Sequence, residues 1–307
     1  MSNINNTLEY INDMARNSPA EFVRMSEQRY FNIIDDVARR IDETPVSEIV
    51  MLAGPSSAGK TTTALRLKAA LDNLGIKTFT ISLDDFYKNR EDSPRLPDGT
   101  PDFETVNALD LPLLSKTLNA LMTQGKADIP VFDFVKGRRS ESSNRIELGA
   151  SDVVVVEGLH ALNPVITSTL PAERLLKMYI NVSSRIYDKD NDIVLNKRNM
   201  RLVRRMIRDR RSRGSSFENT LSMWNTVREG EDKYLFPYRD EADIKINTII
   251  LYESCVFRDI AIPMLKEIEQ NSEYYSEAQK LIKGLERFEP LDRSLVPENS
   301  LLREFLG

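Results

Sequence analysis

Short, uninterrupted apolar runs alternate with segments of helical spacing along most of this chain. Ile49-Val50-Met51-Leu52-Ala53 has no polar position, and Val153-Val154-Val155-Val156 is equally unbroken. Runs of this length without alternation predict strands buried on both faces of a sheet. Further strand signals lie at 76–83, 128–135, 175–182 and 244–251, with helical patterns at 62–74, 107–122, about 194–213 and 217–228. Strand and helix in turn predict an α/β fold of three layers, a mainly parallel sheet between helices. Residues 88–104 hold three prolines and a glycine and read as a long exposed loop.

The flanks read differently. Pro19 followed by Ala20-Glu21-Phe22-Val23 starts a helix that continues through Arg29, Ile33, Val37 and Ile41, and Thr44-Pro45 ends it. Residues 1–46 are expected to be a helical N-terminal extension, 47–252 the main domain, and 253–307 a helical, acidic C-terminal segment. The N-terminal residues lack the basic and apolar regions of a secretory signal, and no apolar run is long enough to span a bilayer. The expectation is a cytoplasmic protein without a membrane partner, and assembly into a homo-oligomer stays open.

The sharpest chemical signal follows the first strand. Gly54-Pro55-Ser56-Ser57-Ala58-Gly59-Lys60-Thr61 fits the phosphate-loop pattern G-x-x-x-x-G-K-[ST] at every specified position. The strand before it and the helix after it are the context that such a loop needs. Its glycines let the backbone curl until successive N–H groups face one phosphate, and the helix N-terminus adds a positive dipole end. Gly54, Ser56, Ser57, Ala58, Gly59, Lys60, Thr61 and Thr62 are the expected cradle for a nucleoside triphosphate. Lys60 would reach the β- and γ-phosphates, and the Thr61 hydroxyl would hold Mg²⁺.

Parallel sheets bind ligands at the carboxyl ends of their strands. Asp84 or Asp85 follows the second strand, and Glu157 closes the valine run as a Mg²⁺-site acid would. Nine basic residues lie between Lys197 and Arg213, and Lys197, Arg201, Arg204, Arg208 and Arg211 fall on one helical face. Few acids oppose them within the helix. The preferred reading is a lid at about 194–214 whose arginines stabilise charge on a transferred phosphoryl group, with Gly214-Ser215-Ser216 as its hinge. The net charge of −5 and the lack of interleaved aromatics argue against nucleic acid as a partner. Charged residues at 29% and hydrophobic residues at 41% are ordinary for a globular chain. The single cysteine, Cys255, excludes an internal disulfide and reads as a small buried hydrophobe.

The phosphate loop, Asp84-Asp85-Phe86-Tyr87, Phe132-Asp133-Phe134, Glu157-Gly158 and the Arg201…Arg204-Arg205…Arg208-Asp209…Arg213-Gly214 run together resemble the uridine kinase and phosphoribulokinase family of P-loop kinases, over roughly residues 47–250. The resemblance implies ATP and Mg²⁺ as cofactors and a small-molecule hydroxyl as acceptor, foremost the 5′-hydroxyl of a nucleoside. It implies Asp84 as the general base beside the metal and Lys60, Arg204 and Arg208 as further catalytic groups. It places Arg213 on phosphate, Thr61 and Glu157 at Mg²⁺, and Tyr87 beside the acceptor. Glu104, Phe132, Arg138 and His160 are the remaining acceptor-side candidates. Two departures stand out. Phe103-Glu104-Thr105 replaces an F-D-H-P-D stretch, with Glu104 as the substitute acid. The polar Tyr and His of Y-D-F-x-x-H become Phe132 and Gly137. A kinase for a sugar-like or hydroxy-acid substrate is the alternative, as is a non-catalytic nucleotide switch.

Overall fold

The computed structural model describes residues 5–43 and 49–307. The expected helix break at Thr44-Pro45 lies outside the described residues. Two helices come first, α1 (Leu8–Asn17) and α2 (Pro19–Asp42), the second with its proline at the start, where a missing N–H costs nothing. The main sheet is built from β1 (Ile49–Ala53), β2 (Thr78–Ser82), β5 (Val153–Gly158), β6 (Leu175–Asn181) and β9 (Ile244–Asn247). Its order is β2-β5-β1-β6-β9, with every pairing parallel. β1 and β5 are buried at every residue, as unbroken apolar strands at the centre of a sheet must be.

Helices cover both faces: α3 (Lys60–Asn73), α4 (Leu111–Gln124), the short α5 (Pro164–Thr167), α6 (Lys197–Arg213), α7 (Phe217–Tyr234), α8 (Glu253–Leu265), α9 (Tyr275–Leu285) and the short α10 (Arg303–Leu306). One apolar layer joins the alternate residues Val50 and Leu52 of β1 to α1, α2, α3, α6 and α8 and to Leu301, Leu302 and Phe305 near α10. The other joins Ile49 and Met51 to α4 and to the antiparallel ribbon of β3 (Lys126–Asp133) and β4 (Arg138–Glu147). A second small ribbon, β7 (Ile186–Tyr187) with β8 (Ile193–Leu195), lies before α6.

Among the differences from the sequence expectation, two stand out. β4 carried no strand signal because it is polar and largely exposed, and it gains its partner from β3 rather than from a core. The helix read as a lid is packed into the core along much of its length: Met200, Leu202, Val203, Met206 and Ile207 of α6 are buried, and so are Arg201, Arg204 and Arg205. Gly214 is its left-handed C-cap at φ 60°.

The register fixes where chemistry can occur. Glu157 of β5 lies beside Leu52 of β1 on one side and Ser82 of β2 on the other. The phosphate loop, the second-strand acids and Glu157 therefore meet at one edge of the sheet.

Candidate active site

The phosphate loop is held from behind. Successive carbonyls of its tip each accept a hydrogen bond from a distant element. Arg201 donates to the Ser56 oxygen at 3.0 Å, Arg204 to the Ser57 oxygen at 3.3 Å, and the Thr248 hydroxyl to the Ala58 oxygen at 2.8 Å. These contacts tie the loop's carbonyls back and fix its shape, and the Ala58 amide closes the turn by donating to the Pro55 carbonyl at 3.2 Å. Ser57 adopts φ 58°, a left-handed conformation that costs a non-glycine residue about 1–2 kcal/mol, and the Arg204 contact offsets that strain. Gly59 has φ 89°, and a Cβ there would lie 2.8 Å from Leu301, so only glycine fits.

Two fully buried ion pairs anchor this backing. Arg201 makes a two-pronged contact with Glu231 of α7 at 2.6 and 2.7 Å, and the same carboxylate accepts from the Ser56 amide at 2.9 Å. The Arg201 guanidinium also sits 5.4 Å over the Trp224 ring. Arg204 pairs with Glu253 of α8 at 2.6 Å and donates to the Thr248 carbonyl. Arg204 was expected among the phosphate-facing arginines, but its side chain is 0% exposed and its donors are spent on these partners. The reason is charge balance, since a buried guanidinium needs a counter-charge and α8 supplies one. Reading α6 in isolation missed the acids because they lie on other helices. Glu231 was detectable: it follows Trp224 and Val227 on the apolar stripe of α7, a position where a lone carboxylate requires a partner.

In front of the loop the acids gather. The Glu157 carboxylate accepts from the Thr61 hydroxyl at 3.2 Å and from the Ser82 hydroxyl at 3.0 Å, both on one oxygen. Burial pushes its pKa up to about 7, with the Asp84 charge adding to the rise and Lys60 opposing it. Asp84 stands in a short turn just past β2, its amide capped by Ser82. It is open to solvent at the cleft mouth, yet the surrounding protein desolvates it enough to raise its pKa against the pull of Lys60, Arg213 and Arg208. Asp85 points elsewhere and accepts from the Phe132 amide at 3.1 Å, tying the turn to β3. Lys60 folds across the loop and donates to the Pro55 carbonyl at 3.3 Å.

A second arginine group surrounds Asp209, a carboxylate only 1% exposed. Arg208 lies 2.8 Å from it, Arg205 3.2 Å and Arg213 3.6 Å. Arg208 and Arg213 are the two that act on Asp84, and Arg205, outside the expected set, donates to the Ser56 hydroxyl at 2.9 Å. One buried acid thus holds three cations at the cleft.

Around Tyr87, expected beside the acceptor, the surface is aromatic. Tyr87 is edge-on to Phe103 with centroids at 6.3 Å and tilted to Phe132 at 6.0 Å, while Phe132 meets Phe134 at 5.1 Å. Phe103 and Phe134 keep exposed ring surface. Glu104 lies against Gly230 so closely that a Cβ there would be 2.5 Å from its own Cβ, and burial lifts its pKa to about 7 against the field of Arg205. His160 is buried edge-on to Tyr234 at 5.9 Å, and burial lowers its pKa to about 4, so the ring is neutral. The Glu104 carbonyl approaches that ring without a well-formed hydrogen bond. Arg138 stays exposed at the start of β4, and its neighbour Arg139 turns inward to Asp110 at 3.1 Å. Thr62, expected to face the nucleotide, donates its hydroxyl to Glu304 of α10 at 2.7 Å.

No helix of the described residues is long and apolar enough to cross a membrane. Residues 49–251 match the model of the phosphoribulokinase / uridine kinase family. A uridine kinase of Lactobacillus helveticus is 28% identical over 204 residues, covering 66% of this chain and 86% of that protein. A uridine kinase of Saccharomyces cerevisiae is 32% identical over 199 residues, 64% of this chain and 36% of that longer protein. Among solved structures, a putative fructose transport system kinase from a Silicibacter species shares the fold, with TM-score 0.51 at 17% identity over 69% of this chain and 98% of its own. The match spans the phosphate loop, both acids at the sheet edge and the arginine helix. The chain belongs to the phosphoribulokinase / uridine kinase family and is a P-loop kinase.

Proposed function

We propose that this kinase transfers the γ-phosphoryl of ATP to the 5′-hydroxyl of a nucleoside. The observation that carries the proposal is one of placement: Asp84, Lys60, Thr61 and Glu157 share the carboxyl edge of the sheet, and the rings of Tyr87, Phe103, Phe132 and Phe134 stand beside Asp84's turn. The loop amides and Lys60 would bind the β- and γ-phosphates. Asp84 would accept the proton as the acceptor oxygen attacks the γ-phosphorus and ADP departs. Arg208 and Arg213, steadied by Asp209, would neutralise charge on the transferring group. Arg204 would serve by holding the loop from behind.

The Thr61 and Ser82 hydroxyls converge on one Glu157 oxygen with Asp84 nearby, a set of hard oxygen donors that suits Mg²⁺. When bound, Mg²⁺ supplies charge neutralisation across the β- and γ-phosphates. The acceptor rings would stack a base, and Glu104 would accept from a sugar hydroxyl.

A second reading, a sugar-like acceptor without a base, is favoured by Phe132 and Gly137, which stand where the family resemblance places polar base readers. ADP release with Mg²⁺-ATP against nucleosides, sugar phosphates and hydroxy acids separates the two. Stimulation by nucleosides is the expected result; stimulation only by non-nucleosides would replace the first reading with the second.

A further inference from the structure

Thr62 lies in the first turn of α3, where the helix's unpaired N–H groups face the phosphate site. Its hydroxyl has a single proton, and that proton is directed at the Glu304 carboxylate 2.7 Å away. Glu304 is not a loose side chain. Leu301, Leu302 and Phe305 around it are 0% exposed. Arg211 of α6 donates to the carbonyls of Glu304 and Phe305 at 3.1 Å each, and Arg204 lies over the Phe305 ring at 5.3 Å. One turn earlier, the Ser300 hydroxyl donates to the buried Glu27 of α2 at 2.5 Å. Leu301 closes over Gly59 of the loop itself. A carboxylate is thereby fixed against the first turn of the phosphate helix.

We propose that Glu304 is a gate on the donor site: it holds the Thr62 hydroxyl that an incoming nucleotide phosphate needs, so docking of α10 and binding of nucleotide oppose each other. Two effects act in the same direction. The hydroxyl cannot donate to a phosphate while it donates to Glu304. The carboxylate also places a negative charge beside a helix N-terminus that otherwise attracts an anion. Nucleotide binding must turn the Thr62 hydroxyl away from Glu304 and loosen α10. Because α10 also bonds to α6 through Arg211, the release reaches the arginine helix. The inference rests on the kinase reading above and adds to it a control on donor affinity.

The test is calorimetric titration of the full chain with Mg²⁺-ADP and with a nonhydrolysable Mg²⁺-ATP analogue. Glu304→Ala is expected to bind about tenfold more tightly than the wild type, the scale of one hydrogen bond to a charged group. Glu304→Gln, which keeps size and loses charge, is expected to tighten binding by a smaller factor and stands in should the alanine variant fold poorly. Thr62→Val weakens binding, and adding Glu304→Ala to it restores nothing, since the hydroxyl in contention is gone. Amide exchange across 300–306 should quicken when nucleotide binds. Folded Glu304 variants that bind as the wild type does, or more weakly, overturn the gate while leaving the kinase reading intact. Absence of binding in the wild type and every variant overturns both, with the fault in the kinase reading.

Discussion

The two sides of the phosphate loop are built on opposite plans. Behind it, fully buried arginines, Arg201 and Arg204, are locked to Glu231 and Glu253 and grip the loop carbonyls. In front of it, Asp84 is open, Arg213 is 58% exposed and the rings of Phe103 and Phe134 face solvent. The back is packed and ion-paired throughout; the front leaves a carboxylate, a guanidinium and two rings in contact with solvent. One basic helix serves both, with Arg201 and Arg204 turned to the core and Arg205, Arg208 and Arg213 gathered by Asp209 at the cleft. An identical residue type on one element does structural work on one face and electrostatic work on the other, decided by where acids stand on neighbouring helices.

Breaking the rear clamp should have the largest effect. Glu231→Gln leaves Arg201 buried without a counter-charge, at a cost of about 3–5 kcal/mol. Thermal denaturation should show the midpoint roughly 10 °C lower. An unchanged midpoint would mean that the pair is not what fixes the loop.

The front should respond to pH. Glu157 has its pKa lifted from 4.5 to about 7, so below that value it is protonated and its hold on a metal weakens. kcat/KM for Mg²⁺-ATP should therefore fall about tenfold per unit as pH drops below 7, the slope of one proton. Glu104→Gln should keep that limb if Glu157 is its source. Stability should run the other way: with the folded pKa above the unfolded one, the folded chain holds more protons between about 4.5 and 7, so this group destabilises as pH rises through that window. A denaturant series across that range checks the sign.

Smaller effects sharpen the acceptor side. Gly230→Ala drives a Cβ into Glu104 and should cost about 1–3 kcal/mol, seen chiefly as a raised acceptor KM. Phe132→Ala removes one ring from the aromatic group and should raise acceptor KM roughly tenfold with ATP affinity untouched. Equal effects on both substrates would argue that these residues only support the fold.

Much of this was legible in the sequence, and the rest was hidden for identifiable reasons. Unbroken apolar strands gave the central sheet, and the spacing of Gly54, Gly59, Lys60 and Thr61 marked the loop, because both signals are local. The edge that joins Ser82 to Glu157 follows from strand register, which no single segment encodes. The arginine face of α6 was visible, but its meaning was not: Glu231 and Glu253 lie 30 and 49 residues from the arginines that they neutralise. The β4 strand escaped because Ile146 alone of its ten residues is buried, too little to impose alternation. Glu304 reaches Thr62 from 242 residues away, beyond any motif.

The central claim is that the loop-bound donor and the Asp84 carboxylate meet at one phosphoryl group. Asp84→Asn, assayed for phosphoryl transfer and titrated with a Mg²⁺-ATP analogue, tests it most directly. A fall in kcat of about 10²–10⁴ with the analogue's Kd within about threefold of wild type is the predicted result. Undiminished turnover, or a loss of turnover that merely follows a loss of nucleotide binding, would contradict it.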